Sequence, residues 1–144
     1  MTNAAISLKP QFLQRILDGS KTVELRRRRL YLAPNTQLWL YSTLPTGSFI
    51  AVASIGCIHH GTPQAVWKRY SQKTGLSRAE YYSYAEGATW VTAIELARVT
   101  QLVRAVPLSE IRTHSKRFQP PQCIVALEES DPVLAVLRKS FPVN

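Results

Sequence analysis

The spacing of apolar and polar positions changes several times along this chain, and each change predicts an element. Ala4 to Lys9 reads as a short strand. Pro10 then opens a helix, because its missing N–H falls among first-turn donors that have no intrahelical partner. Phe12, Leu13, Ile16 and Leu17 give that helix an apolar stripe, and Gly19 supplies a residue suited to the left-handed stop. Thr22 to Arg28 alternates as a second strand, and the following stretch to Asn35, with Pro34, is a loop. Thr36 to Ser42 places Trp39 and Tyr41 on one face and Leu38 and Leu40 on the other. After a turn at Pro45 and Gly47, Ser48 to Ile58 is almost continuously small or apolar, as in a strand covered on both faces.

Thr62-Pro63 predicts a capped helix with Val66, Trp67 and Tyr70 inward, and Ser77 and Glu80 have capping-box spacing for another that stops at Gly87. Thr89 to Ala105 is rich in Val, Thr, Ile and Leu, and reads as one bent strand or two joined near Val99. Pro107 to Ile111 suggests a helical turn. Pro120-Pro121 breaks structure before a last strand from Gln122 to Leu127, and Asp131-Pro132 starts a final helix at about 131–141. The expectation is an α+β fold with about six strands and four or five helices. Regular βαβ alternation is missing, so a mostly antiparallel β-barrel with surrounding helices fits best.

With 144 residues, 45% of them hydrophobic, the chain suits one domain with a conventional core. There are 18 Lys+Arg against 9 Asp+Glu, a formal charge of +9, which favours polyanionic partners, nucleic acid first. No apolar run approaches a membrane span, and the N-terminus lacks the apolar core of a secretory signal. Cys57 and Cys123 lie in apolar segments and are expected to be free, buried thiols. These features suggest a cytoplasmic protein. Adjacent His59 and His60 point to opposite faces if extended, and only His114 remains besides them, so no metal site is expected. No phosphate-cradling glycine loop is present, and no cofactor is expected.

The densest chemistry lies in Lys21 to Arg29, where five positive charges crowd around Glu24. With Lys9 near the end of the preceding strand, Lys21, Glu24, Arg26 and Arg27 form a candidate site for phosphate or a polar planar ligand. An arginine fork pairs bidentately with phosphate, lysine acts as a point charge, and a carboxylate accepts from a base amino group. Equally, Glu24 paired with Arg26 could be purely structural. Bases stack on aromatic rings, and the candidates are Tyr41, Trp67, Trp90 and the Tyr81, Tyr82, Tyr84 cluster; Tyr41 and Trp90, each in a strand near a turn or glycine, are preferred, while Trp67 and Trp39 fit the core better. Arg112, His114, Lys116 and Arg117 form a second basic area leading to Gln122, or a solvated loop.

The runs Ile6-Ser7-Leu8-Lys9-Pro10 and Ile16 to Arg27 resemble the ASCH domain, a member of the PUA-like superfamily. The strand Leu38 to Ser42, Pro45, the apolar strand Ile50 to Ile58 and Pro120-Pro121-Gln122 agree with small stand-alone ASCH proteins described as predicted transcriptional regulators. The resemblance spans Ala4 to about Leu127. It implies a PUA-like β-barrel and an RNA- or nucleotide-like ligand in a cleft lined by Lys9, Lys21, Glu24, Arg26, Arg27, Tyr41 and Gln122. One enzymatic branch hydrolyses the amide of N4-acetylcytidine with a Lys, a Thr three residues later and a Glu from a following strand. Lys21 matches the Lys; Glu24 stands at the Thr position, and Ile50 to Ile58 contains no Glu. Ribonuclease activity is a further family expectation. Binding is therefore the leading expectation. An amidohydrolase or ribonuclease working through Lys21 and Glu24 is the alternative, and a protein-interaction module with a structural charge cluster is the third.

Overall fold

The computed structural model describes residues 2–143. Its elements are β1 (Asn3–Leu8), α1 (Pro10–Leu17), β2 (Val23–Arg26), β3 (Gln37–Ser42), β4 (Ser48–Gly61), α2 (Pro63–Tyr70), α3 (Arg78–Ala85), β5 (Val91–Pro107), α4 (Leu108–His114), β6 (Val125–Leu127) and α5 (Pro132–Lys139). The caps act as the sequence implies. Thr62 Oγ1 accepts from the Ala65 N–H, Ser77 and Glu80 complete their capping box, and Asp131 accepts from the Val133 N–H.

The six strands form one sheet in the order β2-β5-β4-β3-β1-β6. β1 runs parallel to β3, and every other pairing is antiparallel, so the sheet is mixed. The parallel pair arises because α1 and β2 intervene between its strands. β5 is one strand bent at Arg98, whose φ is +50°, beside an irregularity in its register with β4. β4 continues through His59 and His60 to Gly61, where a loop was expected. Cys57 is exposed on this extension rather than buried, and its Sγ lies 2.8 Å from Glu95 Oε2. On one side of the sheet, α4 and α5 cover Trp39, Phe49, Val52 and Val106; elsewhere α1 covers Ile6, Leu38 and Leu40, and α2 with α3 covers Val23, Leu25 and Val91.

No β2–β6 ladder closes the sheet among the described residues, so the hydrogen-bonded sheet is open and the expected barrel is not formed by strand pairing. Both edge strands are short, four residues in β2 and three in β6. Yet the sheet curls. Three strands separate β2 from β1 in the order, which would place them about 19 Å apart in a flat sheet at about 4.8 Å per step. Instead Arg26 Nη2 donates to the Ser7 carbonyl on β1 at 2.8 Å. The same side chain grips Glu24, with Nε 2.9 Å and Nη2 2.7 Å from Oε2. Glu24 Oε1 lies 3.3 Å from Lys21 Nζ. That ammonium also donates to the carbonyls of Val23 (2.8 Å) and Thr74 (3.0 Å). Arg26 is thus a clasp across the open seam, backed by a buried ion network.

Two substitutions test this. Glu24→Ala leaves Lys21, only 3% exposed, without its counter-charge. It should lower unfolding free energy by about 3–5 kcal/mol in urea titrations, with Glu24→Gln costing less. Gly75 has φ +69°, and an added Cβ would sit 2.9 Å from Lys21 Cβ. Gly75→Ala should therefore cost about 1–3 kcal/mol by the same measurement.

Candidate functional site

The curl leaves a groove where β1 and β2 approach without pairing. Ser7, Leu8 and Lys9 form one wall, and Glu24, Leu25 and Arg26 form the other. Thr43 after β3 and the Pro120–Gln122 turn close one end, with Phe12 and Tyr84 also at the wall, around a cleft of about 520 Å³. A smaller cavity of about 120 Å³ adjoins it through Phe12, Glu24, Leu25 and Tyr84, and reaches Lys21, Leu76 and Glu80.

Glu24 and Arg26 line the cleft from β2, Ser7 lines it from β1, and Lys9 does so from the N-cap of α1. Arg27 turns away. Its Nη2 donates to the Glu86 carbonyl at 3.0 Å, and it lines a different depression, so it is not part of the cleft expected from the sequence. Lys9 and Gln122 are exposed at the rim. Tyr41 is only 2% exposed and packs edge-on against Phe49, with ring centroids 5.2 Å apart. It therefore has no free face for a base. It lines an adjoining cavity that shares Thr43 and Pro120 with the cleft.

Glu24 lines both cavities, and Lys21 lines the smaller one. The three ammonium donors of Lys21 face two carbonyls and a carboxylate, which fixes the side chain in place. Burial holds its amine below the usual lysine range, while Glu24 pulls it back up. Glu24 is the cleft's one lining acid, and two cations neutralise it. Tyr84 donates to the Leu25 carbonyl at 3.0 Å, and its hydroxyl is pushed up to about 12, by burial first and by the Glu24 charge second. Arg112 holds the end wall from behind, donating to the Phe118 carbonyl and Gln119 Oε1, each at 3.1 Å. The second basic area thus braces the loop before Pro120.

Ser7, Phe12 and Thr43 were not singled out for the site by sequence. Ser7 had a usable signal, since it lies two residues before Lys9 in a strand. Its Oγ is buried with no hydrogen-bond partner among the described residues. The others reach the cleft only through long-range packing.

This geometry sits in a chain with clear relatives. The family described as "Domain of unknown function (DUF365)" matches residues 4–125. The ASCH domain-containing ribonuclease of Zymomonas mobilis is 37% identical over 128 residues, covering 89% of this chain and 86% of the relative. A crystal structure of a tyrosine-to-phenylalanine variant of ASCH from Zymomonas mobilis superposes with a TM-score of 0.91 at 32% identity, over 99% of this chain and 100% of that one. Human THYN1 in complex with 5-methylcytosine-containing DNA shares the fold at TM-score 0.62 and 10% identity, covering 100% of both chains. The chain belongs to the ASCH-domain family.

Proposed function

We propose that this protein binds RNA in the cleft between β1, β2 and the Pro120–Gln122 turn, and that the bound RNA is cleaved. One observation carries the binding: Lys9 stands exposed at the rim, and the cleft's one lining acid is already neutralised by Lys21 and Arg26, so the cleft presents net positive charge to a polyanion. Lys9 at the rim holds a phosphate as a point charge. The Gln122 amide, exposed at the rim, meets a base edge. The 37% identity to a protein named as a ribonuclease supports cleavage.

In this reading Lys21 and Glu24 shape the site instead of attacking substrate. A lysine donating to two carbonyls and a carboxylate has no lone pair to offer, so N4-acetylcytidine hydrolysis through Lys21 is not proposed. The whole chain acts as one ASCH domain in the cytoplasm. Its curled sheet serves as a PUA-like barrel whose seam is closed by the Arg26 clasp.

Binding of a fluorescent single-stranded RNA, followed by anisotropy, should weaken with salt. Lys9→Ala should reduce the slope of log affinity against log salt by about 0.7, the value of one phosphate contact on a single strand. Gln122→Ala should weaken binding with the slope unchanged. Salt-independent binding, or none, would refute the cleft reading. Labelled RNA incubated with the protein should yield shorter fragments on a denaturing gel, and intact RNA would remove the cleavage step.

A further inference from the structure

A second surface, outside the cleft, collects aromatic faces and positive charge. Arg27, Arg29, His60, Thr89 and Trp90 line a depression of about 330 Å³. Trp90 is 58% exposed, and Tyr31, in contact with Arg29 and His60, is 75% exposed. The Arg29 guanidinium lies over the Tyr31 ring at 5.4 Å, and the Tyr31 and His60 rings are 5.5 Å apart. The depression has no lining carboxylate.

Its framework is ordered while its faces stay open. Thr92 Oγ1 donates to the Arg28 carbonyl at 2.6 Å and sits 2.9 Å from His60 Nδ1, which ties the Arg27–Arg29 segment to β4 and β5. Arg27 is steadied by the Glu86 carbonyl, and it lies 3.7 Å from where a Cβ on Gly87 would be. Burying a large indole normally contributes strongly to stability, so a Trp left mostly exposed in a depression lined by two arginines offers contact area to a ligand. The other two tryptophans are engaged within the fold. Trp39 is 3% exposed and donates to Asn3 Oδ1, and Trp67 packs on Tyr81 with centroids 4.8 Å apart.

We propose that this depression is a second single-stranded RNA subsite, in which a base stacks on Trp90 and the adjoining phosphates pair with Arg27 and Arg29. The proposal rests on the RNA-binding reading of the cleft and extends it. The two sites meet at neighbouring residues of one chain segment: Arg26 faces the cleft and Arg27 the depression. A strand leaving the cleft over the β2 edge arrives at Trp90. Stacking plus phosphate pairing makes this subsite tolerant of base identity and sensitive to salt.

The test titrates a single-stranded oligouridylate into wild type, Trp90→Ala, Trp90→Phe and the Arg27→Ala, Arg29→Ala double variant. Anisotropy and tryptophan emission are read together, and circular dichroism checks folding. Wild-type emission should be quenched on binding. Trp90→Ala should bind about five- to hundredfold more weakly and lose the quench. Trp90→Phe should regain most of the affinity without the quench, and the double arginine variant should have a shallower salt slope than wild type. Wild-type binding with an unquenched Trp90, or equal affinity in Trp90→Ala, overturns this subsite and leaves the cleft reading standing. No wild-type binding overturns both.

Discussion

Glu24 is a carboxylate held 7% exposed between two cations, and the shape of the molecule depends on that arrangement. At contact distance an ion pair near a protein surface gains about 4 kcal/mol, while removing each ion from water costs several. Further hydrogen bonds offset that cost: the carbonyls of Ser7, Val23 and Thr74 accept from Arg26 and Lys21, and they come from three separate parts of the chain. The backbone N–H groups of Thr22 and Val23 add two bonds to the Lys73 carbonyl, so the start of β2 is anchored to the α2–α3 connection. Completing the ion network and curling the sheet are one event.

The curl creates the cleft. A flat sheet would leave β1 and β2 far apart, and a ladder between them would fill the gap with paired backbone. A side-chain bridge does neither: it holds the strands close and leaves the groove open. The end of β2 then divides the arginines: Arg26, its last residue, serves the seam, and Arg27, just past it, turns to the Glu86 carbonyl. A charge run that looks uniform in sequence becomes two differently placed surfaces.

Much of this was legible locally. Pro10 and Gly19 bounded α1, Thr62-Pro63 and Ser77…Glu80 marked helix starts, and the apolar run from Ser48 identified a strand covered on both faces. Lys9, Lys21, Glu24, Arg26 and Gln122 were named from spacing and resemblance, and all five come to the two adjoining cavities. What escaped was non-local. The parallel β1–β3 pairing depends on how the chain returns, which no local period encodes. Tyr41 read as a strand-end aromatic, but the helices packed beside it fill the space over its ring. Cys57 looked buried by its apolar neighbours, yet it lies where β4 runs past the core. Arg27 sat in the right motif, but it follows the end of β2 and turns away to the Glu86 carbonyl.

The central claim is that RNA occupies the seam between β1 and β2. Its most direct test is an amide NMR titration of the isotope-labelled protein with single-stranded RNA. The account predicts progressive shifts for Ser7, Leu8, Lys9, Thr43 and Gln122, whose residues come from distant parts of the sequence and meet only at the cleft. Shifts confined to the residues around Cys57, Tyr70 and Glu95, with the seam residues unmoved, would contradict it.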